Sequence, residues 1–370
     1  MFLRSKAISW TITASAAALT LGLISCGGQT DAPNASTSGS ASTSGAASAP
    51  AMTETVALSG AGASFPAPLY QRWFSDFNKT TPSVTVGYQS VGSGAGVKQF
   101  IAGTVDFGAS DVAMKDEEIK QVSKGVLMLP MTAGSIVLAY NLPDLKAPLK
   151  LSRAAMTDIF LGKIKKWNDP AIAKANPDAK LPDSAIGVVF RSDGSGTTSV
   201  FTKYLSTVSP DWKTKVGSGK TVSWPTGTGA KGNEGITAQV QQNKGSLGYV
   251  EYGYAKQNGL TFATLENKSG AYIEPSDASA QATLATVKLP DDLRAFITDP
   301  EGKDAYPIVT YSWILAYKTY ADANKVKALK AIVNYGLTEG QKNSPELGYV
   351  ALPEAVVTKV KAAVDSIAVK

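Results

Sequence analysis

Beyond the first 54 residues, two periodicities of hydrophobic positions alternate along the chain. One is typical of strands and the other of helices. Short apolar runs at residues 56–59 and 84–88 are typical of strands. Behind Pro66 a helix is predicted, with an apolar stripe that packs in a core, formed by Leu69, Trp73 and Phe77. The order of strand, glycine-rich turn and helix recurs at residues 186–205. This alternation predicts the α/β class.

The first 26 residues form a predicted targeting segment. Arg4 and Lys6 precede an uncharged apolar run at residues 8–24, and Cys26 follows directly after Ser25. This pattern resembles a lipoprotein signal, in which the cysteine receives a diacylglyceryl group and becomes the new N-terminus. An uncleaved membrane helix is the alternative, but the run is shorter than the ~20 apolar residues of a span. We therefore expect an exported protein of the periplasm or cell surface, lipid-anchored to a bacterial membrane.

Residues 27–54 are rich in Ser, Thr, Ala, Gly and Pro and contain no aromatic side chain. Such a segment cannot bury enough apolar surface to order itself. The composition predicts a flexible linker, with a root-mean-square span of ~30 Å, between the anchor and the folded body.

Composition removes several classes of function. The 370 residues predict about two domains, and there is no histidine and only one cysteine. The absence of histidine excludes Ser-His-Asp and Cys-His catalysis and most zinc sites, so no metal and no cofactor is expected. Removal of the signal leaves 34 basic against 30 acidic residues, a net charge of +4. The lysines are dispersed, which does not indicate nucleic-acid binding.

Three glycine- and hydroxyl-rich turns carry the candidate chemistry. They lie at residues 60–65, 92–96 and 193–197, and each precedes a predicted helix. Free N–H groups at helix N-termini and short hydroxyl side chains bind anions well, and Arg191 stands before the third turn. For any single turn, helix capping is the more ordinary explanation. Three such turns in one α/β chain predict a shared oxyanion site.

A fourth glycine run, at residues 227–232, formally matches the dinucleotide-binding pattern. Pro225 interrupts the preceding strand and glycines are common in this composition, so we interpret the run as a turn before a helix capped by Asn233. The chain contains no phosphate-loop signature. Nucleotide hydrolysis is not indicated.

Seven motifs follow one another along the chain: TVALSGAGASFP at 55–66, GVKQ at 96–99, VDFGASD at 105–111, LGKIKKWND at 161–169, RSDGSGT at 191–197, WPTGTGAKGN at 224–233 and GYVEY at 248–252. In this order they resemble the phosphate-binding proteins that serve the phosphate-specific ABC transporter. The resemblance covers residues 55 to about 357.

The resemblance implies a periplasmic-binding-protein fold, in which two α/β lobes are joined by crossover strands and hold the ligand in the cleft between them. Lobe 1 would comprise residues 55–137 and 307–370, and lobe 2 residues 138–306. One crossover is expected near residues 131–141 and the return near 306–318. Residues 261–300 carry little periodicity.

The resemblance also implies roles for individual residues. Asp111 would accept the proton of the phosphate, Arg191 would be the one cationic contact, and Asp193 would support Arg191. Hydroxyl and backbone donors would come from both lobes: Ala63, Ser64, Phe65, Ser93, Ser195, Gly196 and Thr197. Many relatives have Thr where this chain has Ser64, which keeps the donor and removes a methyl group.

The function implied is high-affinity binding of inorganic phosphate and its delivery to the membrane permease of an ABC importer, by a monomer that is not an enzyme. The alternative is a phosphatase or other hydrolase with Ser93 or Ser195 as nucleophile. Such an enzyme needs a base or metal that the sequence does not supply. A structural or adhesive surface lipoprotein is a third possibility, and it predicts no stabilisation by a ligand.

Overall fold

The computed structural model describes residues 54–370. The predicted signal segment with Cys26, and the predicted linker up to residue 53, lie outside the described residues. The strands are β1 (Val56–Gly62), β2 (Val84–Ser90), β3 (Phe107–Ser110), β4 (Val126–Tyr140), β5 (Lys150–Leu151), β6 (Gly187–Arg191), β7 (Thr228–Ala230), β8 (Ser246–Glu251), β9 (Thr261–Phe262), β10 (Thr264–Glu266), β11 (Tyr272–Ile273), β12 (Val309–Tyr317), β13 (Thr319–Tyr320) and β14 (Ala368–Val369).

Helices alternate with these strands, as the two periods predict. They are α1 (Ala67–Thr80), α2 (Ser93–Ala102), α3 (Asp116–Ile119), α4 (Arg153–Phe160), α5 (Pro170–Ala173), α6 (Gly196–Val208), α7 (Pro210–Lys215), α8 (Gly232–Gln242), α9 (Tyr252–Gln257), α10 (Asp277–Ala285), α11 (Ala323–Leu337), a 3₁₀ helix (Glu339–Asn343), α12 (Ser344–Leu347) and α13 (Glu354–Asp365). The α/β prediction is confirmed. No helix among the described residues has the length and apolar character needed to cross a membrane.

Nine strands form one sheet in the order β2-β1-β3-β12-β4-β8-β6-β7, and β9 pairs with β4. We call β1, β2 and β3 the first side of the sheet, and β6, β7 and β8 the second side. On the first side β1 runs parallel to both β2 and β3. On the second side β6 runs parallel to both β7 and β8. Parallel strands place their carboxyl ends, and the turns into the following helices, at one edge of each side.

The two sides are joined through the long strands β4 and β12, which pair antiparallel in the middle of the sheet. The first part of β4 pairs with β12, and its last five residues pair with β8 on the second side. These strands occupy the segments where the sequence places the crossovers. Every residue of β12 is buried, as expected for a strand covered on both faces.

Pro130 lies within β4, although proline is rare in central strands because it has no N–H for the ladder. The register between β4 and β12 shifts at this point: Ser312 pairs with Thr132, whereas Trp313 pairs with Pro130. Met131 is therefore an extra residue, and the resulting bulge accommodates the proline. Bulges redirect side chains, and this one lies beside Ser312, which faces the candidate site.

An aromatic cluster supports the second side of the sheet. The ring of Trp224 stacks on Phe190 of β6 at 5.2 Å and on Tyr249 of β8 at 5.5 Å between centroids. The hydroxyl of Tyr249 accepts the N–H of Arg191 at 2.9 Å. Apolar packing thus fixes the end of β6, where the candidate arginine lies.

Candidate anion-binding site

The three predicted turns meet at one place between the two sides of the sheet. The first two connect β1 to α1 and β2 to α2, and the third connects β6 to α6. The N–H of Gly94 donates to the carbonyl of Gly194 at 2.7 Å, which joins the second turn to the third. Gly92, with φ +87, passes so close to Asp193 that a Cβ atom there would collide with the carboxylate. The glycines allow the two backbones to approach each other.

Asp111 follows β3 and is almost fully buried, with 1% of its surface exposed. The hydroxyl of Ser312 donates to its Oδ1 at 2.9 Å, and the Ser93 hydroxyl lies 3.4 Å from its Oδ2. Burial raises the pKa of the Asp111 carboxyl to about 7, against the hydrogen bond from Ser312 and the charge of Arg191. The carboxyl therefore exchanges a proton near neutral pH.

Arg191 is the cation of the site, and it is 4% exposed. Its Nε and Nη2 donate to the two oxygens of Asp193 at 2.7 and 2.6 Å, a bidentate pair. Burial would raise the pKa of Asp193, but the hydrogen bonds and charge of Arg191 hold it below its ordinary value. Asp193 also accepts the N–H of Gly232 at 3.1 Å, which fixes the guanidinium to the start of α8. The Nη1 atom lies 3.5 Å from the Thr197 hydroxyl.

The N-terminus of α6 points at the same place. Ser195 caps this helix, because its hydroxyl oxygen accepts the N–H of Thr198 at 3.0 Å. The N–H groups of Gly196 and Thr197 have no hydrogen-bond acceptor within residues 54–370. Gly196 packs directly against the opposite side of the site, since a Cβ atom on it would lie 2.7 Å from the Asp111 carboxylate. Ser195 can therefore cap α6 and still donate its O–H to an anion, because the cap uses only a lone pair of the hydroxyl oxygen.

The turn after β1 supplies a second set of free donors. The N–H groups of Ser64 and Phe65 have no acceptor in the described part of the chain. The N–H of Ala63 differs, because it donates to the carbonyl of Ala109 at 3.0 Å. Ala63 lies in the turn as predicted, but this structure gives its backbone donor another partner.

Asn233 does not have the role of helix cap that its position after the glycine run predicts. The helix α8 begins at Gly232 with Lys231 in the cap position and no side-chain cap, so Asn233 does not cap it. Its N–H and Nδ2 instead donate to the Ser64 hydroxyl oxygen at 3.1 and 2.9 Å. Both lone pairs of that oxygen are then occupied, and the Ser64 O–H is left as a donor. Asn233 also lies 3.4 Å from the Thr197 hydroxyl.

Ser312 is the second residue that sequence reasoning missed. It lies in the wholly buried strand β12, and a single serine in such a strand carries no motif. The available signal for Asn233 was its place directly after a glycine run. For Ser312 no local signal exists, because its partner Asp111 lies 201 residues earlier in the chain.

The site therefore combines many hydrogen-bond donors with one arginine and one carboxyl that titrates near pH 7. Four helices (α1, α2, α6 and α8) begin at this place, and their N-termini favour an anion. Among residues 54–370 no group of carboxylates is arranged to hold a metal ion. The geometry suits a small dehydrated oxyanion that itself carries a proton.

Comparison with known proteins places the chain in a family. The model of the PBP superfamily domain matches residues 32–335. The phosphate-binding protein PstS of Pasteurella multocida is 48% identical over 84% of this chain and 90% of that relative. The PstS of Haemophilus influenzae is 46% identical over 82% of this chain and 91% of its own length. The chain belongs to the PstS family of phosphate-binding proteins.

Solved structures agree on the fold. A high-affinity periplasmic phosphate-binding protein solved with bound phosphate is 20% identical to this chain. The comparison of the two structures gives a TM-score of 0.68 and covers 83% of this chain and 93% of that chain. The periplasmic-binding-protein fold that the motifs imply is therefore confirmed.

Proposed function

We propose that this protein binds inorganic phosphate at the junction of the β1–α1, β2–α2 and β6–α6 turns and delivers it to an ABC-type importer. The observation that carries the proposal is that N–H and O–H donors without an acceptor in residues 54–370 converge around one buried arginine. In a buried site, fixed dipoles stabilise an anion without the cost of burying several cations. Relatives that carry the name phosphate-binding protein support the choice of anion.

The proposed ligand contacts combine donors from both sides of the sheet. Phosphate oxygens would accept from the N–H groups of four residues and from hydroxyls, while Asp111 accepts the proton that phosphate retains near neutral pH. The contacting residues would be Ser64, Phe65, Ser93, Asp111, Arg191, Ser195, Gly196 and Thr197. Sulfate carries no such proton, and it would place a bare oxyanion against the Asp111 carboxylate.

The same proposal covers the organisation of the chain. Residues 55–137 with 307–370 would form one lobe and residues 138–306 the other, and β4 and β12 would act as the hinge. The protein would be exported and would act as a monomer with the permease subunits as partners. Acylated Cys26 would anchor it to the membrane through the linker.

Support is lacking for the hydrolase alternative. Within residues 54–370 the Ser195 hydroxyl hydrogen-bonds to the N–H of Thr198 and to no carboxylate. The Ser93 oxygen accepts the N–H of Asp111 at 3.2 Å and lies 3.4 Å from its carboxylate, a distance too long for a strong hydrogen bond. The curated relatives are binding proteins by name. A binding role without turnover is the better proposal.

Thermal unfolding of phosphate-free protein with phosphate or sulfate tests this function. At 1,000 times the Kd, phosphate should stabilise the fold by about 4 kcal/mol. For a body of this size the melting temperature should rise by about 6 °C. Equimolar sulfate should produce no comparable rise. Equal melting temperatures with and without phosphate would refute the proposal, and release of phosphate from an ester substrate would favour the hydrolase.

A further inference from the structure

Three consecutive carbonyl groups in the turn after β1 each accept a hydrogen bond from a tyrosine hydroxyl. The pairs, with their oxygen–oxygen distances, are Tyr88 to Ala63 at 2.7 Å, Tyr254 to Ser64 at 2.7 Å and Tyr349 to Phe65 at 2.8 Å. The tyrosines come from β2, from α9 and from the segment after α12, which are distant in sequence. A turn held at every carbonyl by separate elements has little freedom to rotate its peptide planes.

Peptide geometry converts this restraint into the direction of N–H groups. In a trans peptide the C=O and the following N–H point in opposite directions. Holding the carbonyl of Ala63 therefore directs the N–H of Ser64, and holding the carbonyl of Ser64 directs the N–H of Phe65. These are the two backbone donors of the turn that have no acceptor within residues 54–370. The carbonyl of Phe65 precedes Pro66, which has no N–H to direct.

We propose that Tyr88 and Tyr254 are positioning residues that aim the N–H groups of Ser64 and Phe65 at the bound anion. The inference rests on the proposed phosphate site and deepens it. Tyr349, which holds the carbonyl before the proline, fixes the start of α1 and directs no donor to the ligand. Tyr88 lies on β2 of the first side, whereas Tyr254 lies on α9, which directly follows β8 of the second side, so elements connected to both sides hold the turn.

The surroundings of the three tyrosines keep each hydroxyl in place as a hydrogen-bond donor. Burial raises the pKa of each of the three hydroxyls above its ordinary value, so all stay protonated at physiological pH. The ring of Tyr88 stacks on Phe107 with centroids 6.2 Å apart and meets Tyr70 edge-on at 5.6 Å. The ring of Tyr349 packs edge-on against Phe65 at 6.3 Å. Packing holds these rings, and each hydroxyl reaches one carbonyl.

Tyrosine-to-phenylalanine variants distinguish a role of the hydroxyls in orienting the N–H donors from a role in the stability of the fold alone. We expect Tyr88→Phe to raise the phosphate Kd about five- to ten-fold, because the freed peptide plane no longer directs the Ser64 N–H at the anion. The Ser64 carbonyl also accepts the N–H of Ala67 at 3.2 Å, so Tyr254→Phe should raise the Kd by a smaller factor. Tyr349→Phe removes an equivalent buried hydroxyl and should raise the Kd less than either. Tyr320→Phe, whose hydroxyl donates to the Asp106 carbonyl at 2.8 Å away from the turn, is the control and should leave the Kd unchanged. Calorimetry gives the Kd, and urea unfolding without phosphate gives the stability of each variant.

Amide NMR supplies a readout that loss of stability does not move. In the wild type the N–H signals of Ser64 and Phe65 should shift downfield on addition of phosphate. Tyr254→Phe should reduce the shift of Phe65 and spare that of Ser64, and Tyr88→Phe should do the reverse. If one variant does not fold, the other carries the same test. Unchanged Kd values and amide shifts in a folded variant would overturn the inference, whereas failure of the wild type to bind phosphate would overturn the proposed function itself.

Discussion

Replacing Asp111 with Asn should change the way in which the free energy of unfolding of the phosphate-free protein depends on pH. The chain has no histidine, so between pH 5 and 8 almost no side chain with an ordinary pKa changes its charge. Asp111 does titrate there, because burial raises its pKa from 3.8 to about 7. Burial also raises the pKa of Glu251, so the contribution of Asp111 is taken from the difference between the wild type and the variant.

The sign and the size of the effect follow from this pKa. Between pH 3.8 and 7 the folded protein holds the Asp111 proton while the unfolded chain has released it. The contribution of Asp111 to the free energy of unfolding is therefore lost as the pH rises through this window, and the loss levels off above pH 7. A rise of about three units corresponds to about 4 kcal/mol, since one unit is worth about 1.4 kcal/mol. The Asn variant lacks this component, so its stability relative to the wild type should increase with pH by a value of this order.

Urea unfolding followed by tryptophan fluorescence, in phosphate-free buffers from pH 4 to 8, measures the difference between the two proteins. Asp183→Asn is the matched control: its side chain is 65% exposed, and the hydrogen bond from Lys166 holds its pKa below the ordinary value. The stability difference between that variant and the wild type should stay flat across the range. If the Asp111→Asn difference is equally flat, Asp111 does not titrate near neutral pH and the argument for it as a proton acceptor is wrong.

Three further predictions concern the ligand, the lobes and the anchor. Calorimetry of Asp111→Asn should show a much smaller preference for phosphate over sulfate than the wild type, which should discriminate by about 10⁴-fold or more; an equal ratio of Kd values would remove Asp111 from the site. Small-angle scattering should show a smaller radius of gyration with phosphate than without, because donors of both lobes must surround one ion; an unchanged radius contradicts closure. Cys26→Ser should release the protein from membranes and keep its phosphate affinity; persistent membrane association contradicts the anchor.

Local patterns predicted most of the framework. The strands at residues 56–59 and 84–88 are confirmed by β1 and β2, and the helix predicted behind Pro66 is α1. These elements have strong periodicity that their burial in the core then satisfies. Residues 261–300 show the opposite case: they hold short strands and the helix α10 without a period long enough to detect.

The turns of the site were also visible in the sequence, because glycine, hydroxyl side chains and a following helix leave a local pattern. The residues that support these turns carry no such local pattern in the sequence. Asn233 reaches Ser64 from 169 residues away, and a helix cap was the ordinary local interpretation. Tyr254 and Tyr349 resemble any buried aromatic residue until the fold brings their hydroxyls to one turn. Contacts that only the tertiary structure creates cannot be predicted from the spacing of residues in the sequence.

The charges of the site explain why these supporting residues matter. Arg191 is already paired by two hydrogen bonds with Asp193, so its positive charge is largely balanced before a ligand arrives. Asp111 adds a group that is neutral or negative near pH 7. A multiply charged phosphate must therefore be stabilised mainly by N–H and O–H dipoles, whose strength depends steeply on direction. Affinity in such a site is set by residues that hold the donors in place, and Asn233, Tyr88 and Tyr254 do this for the turn after β1.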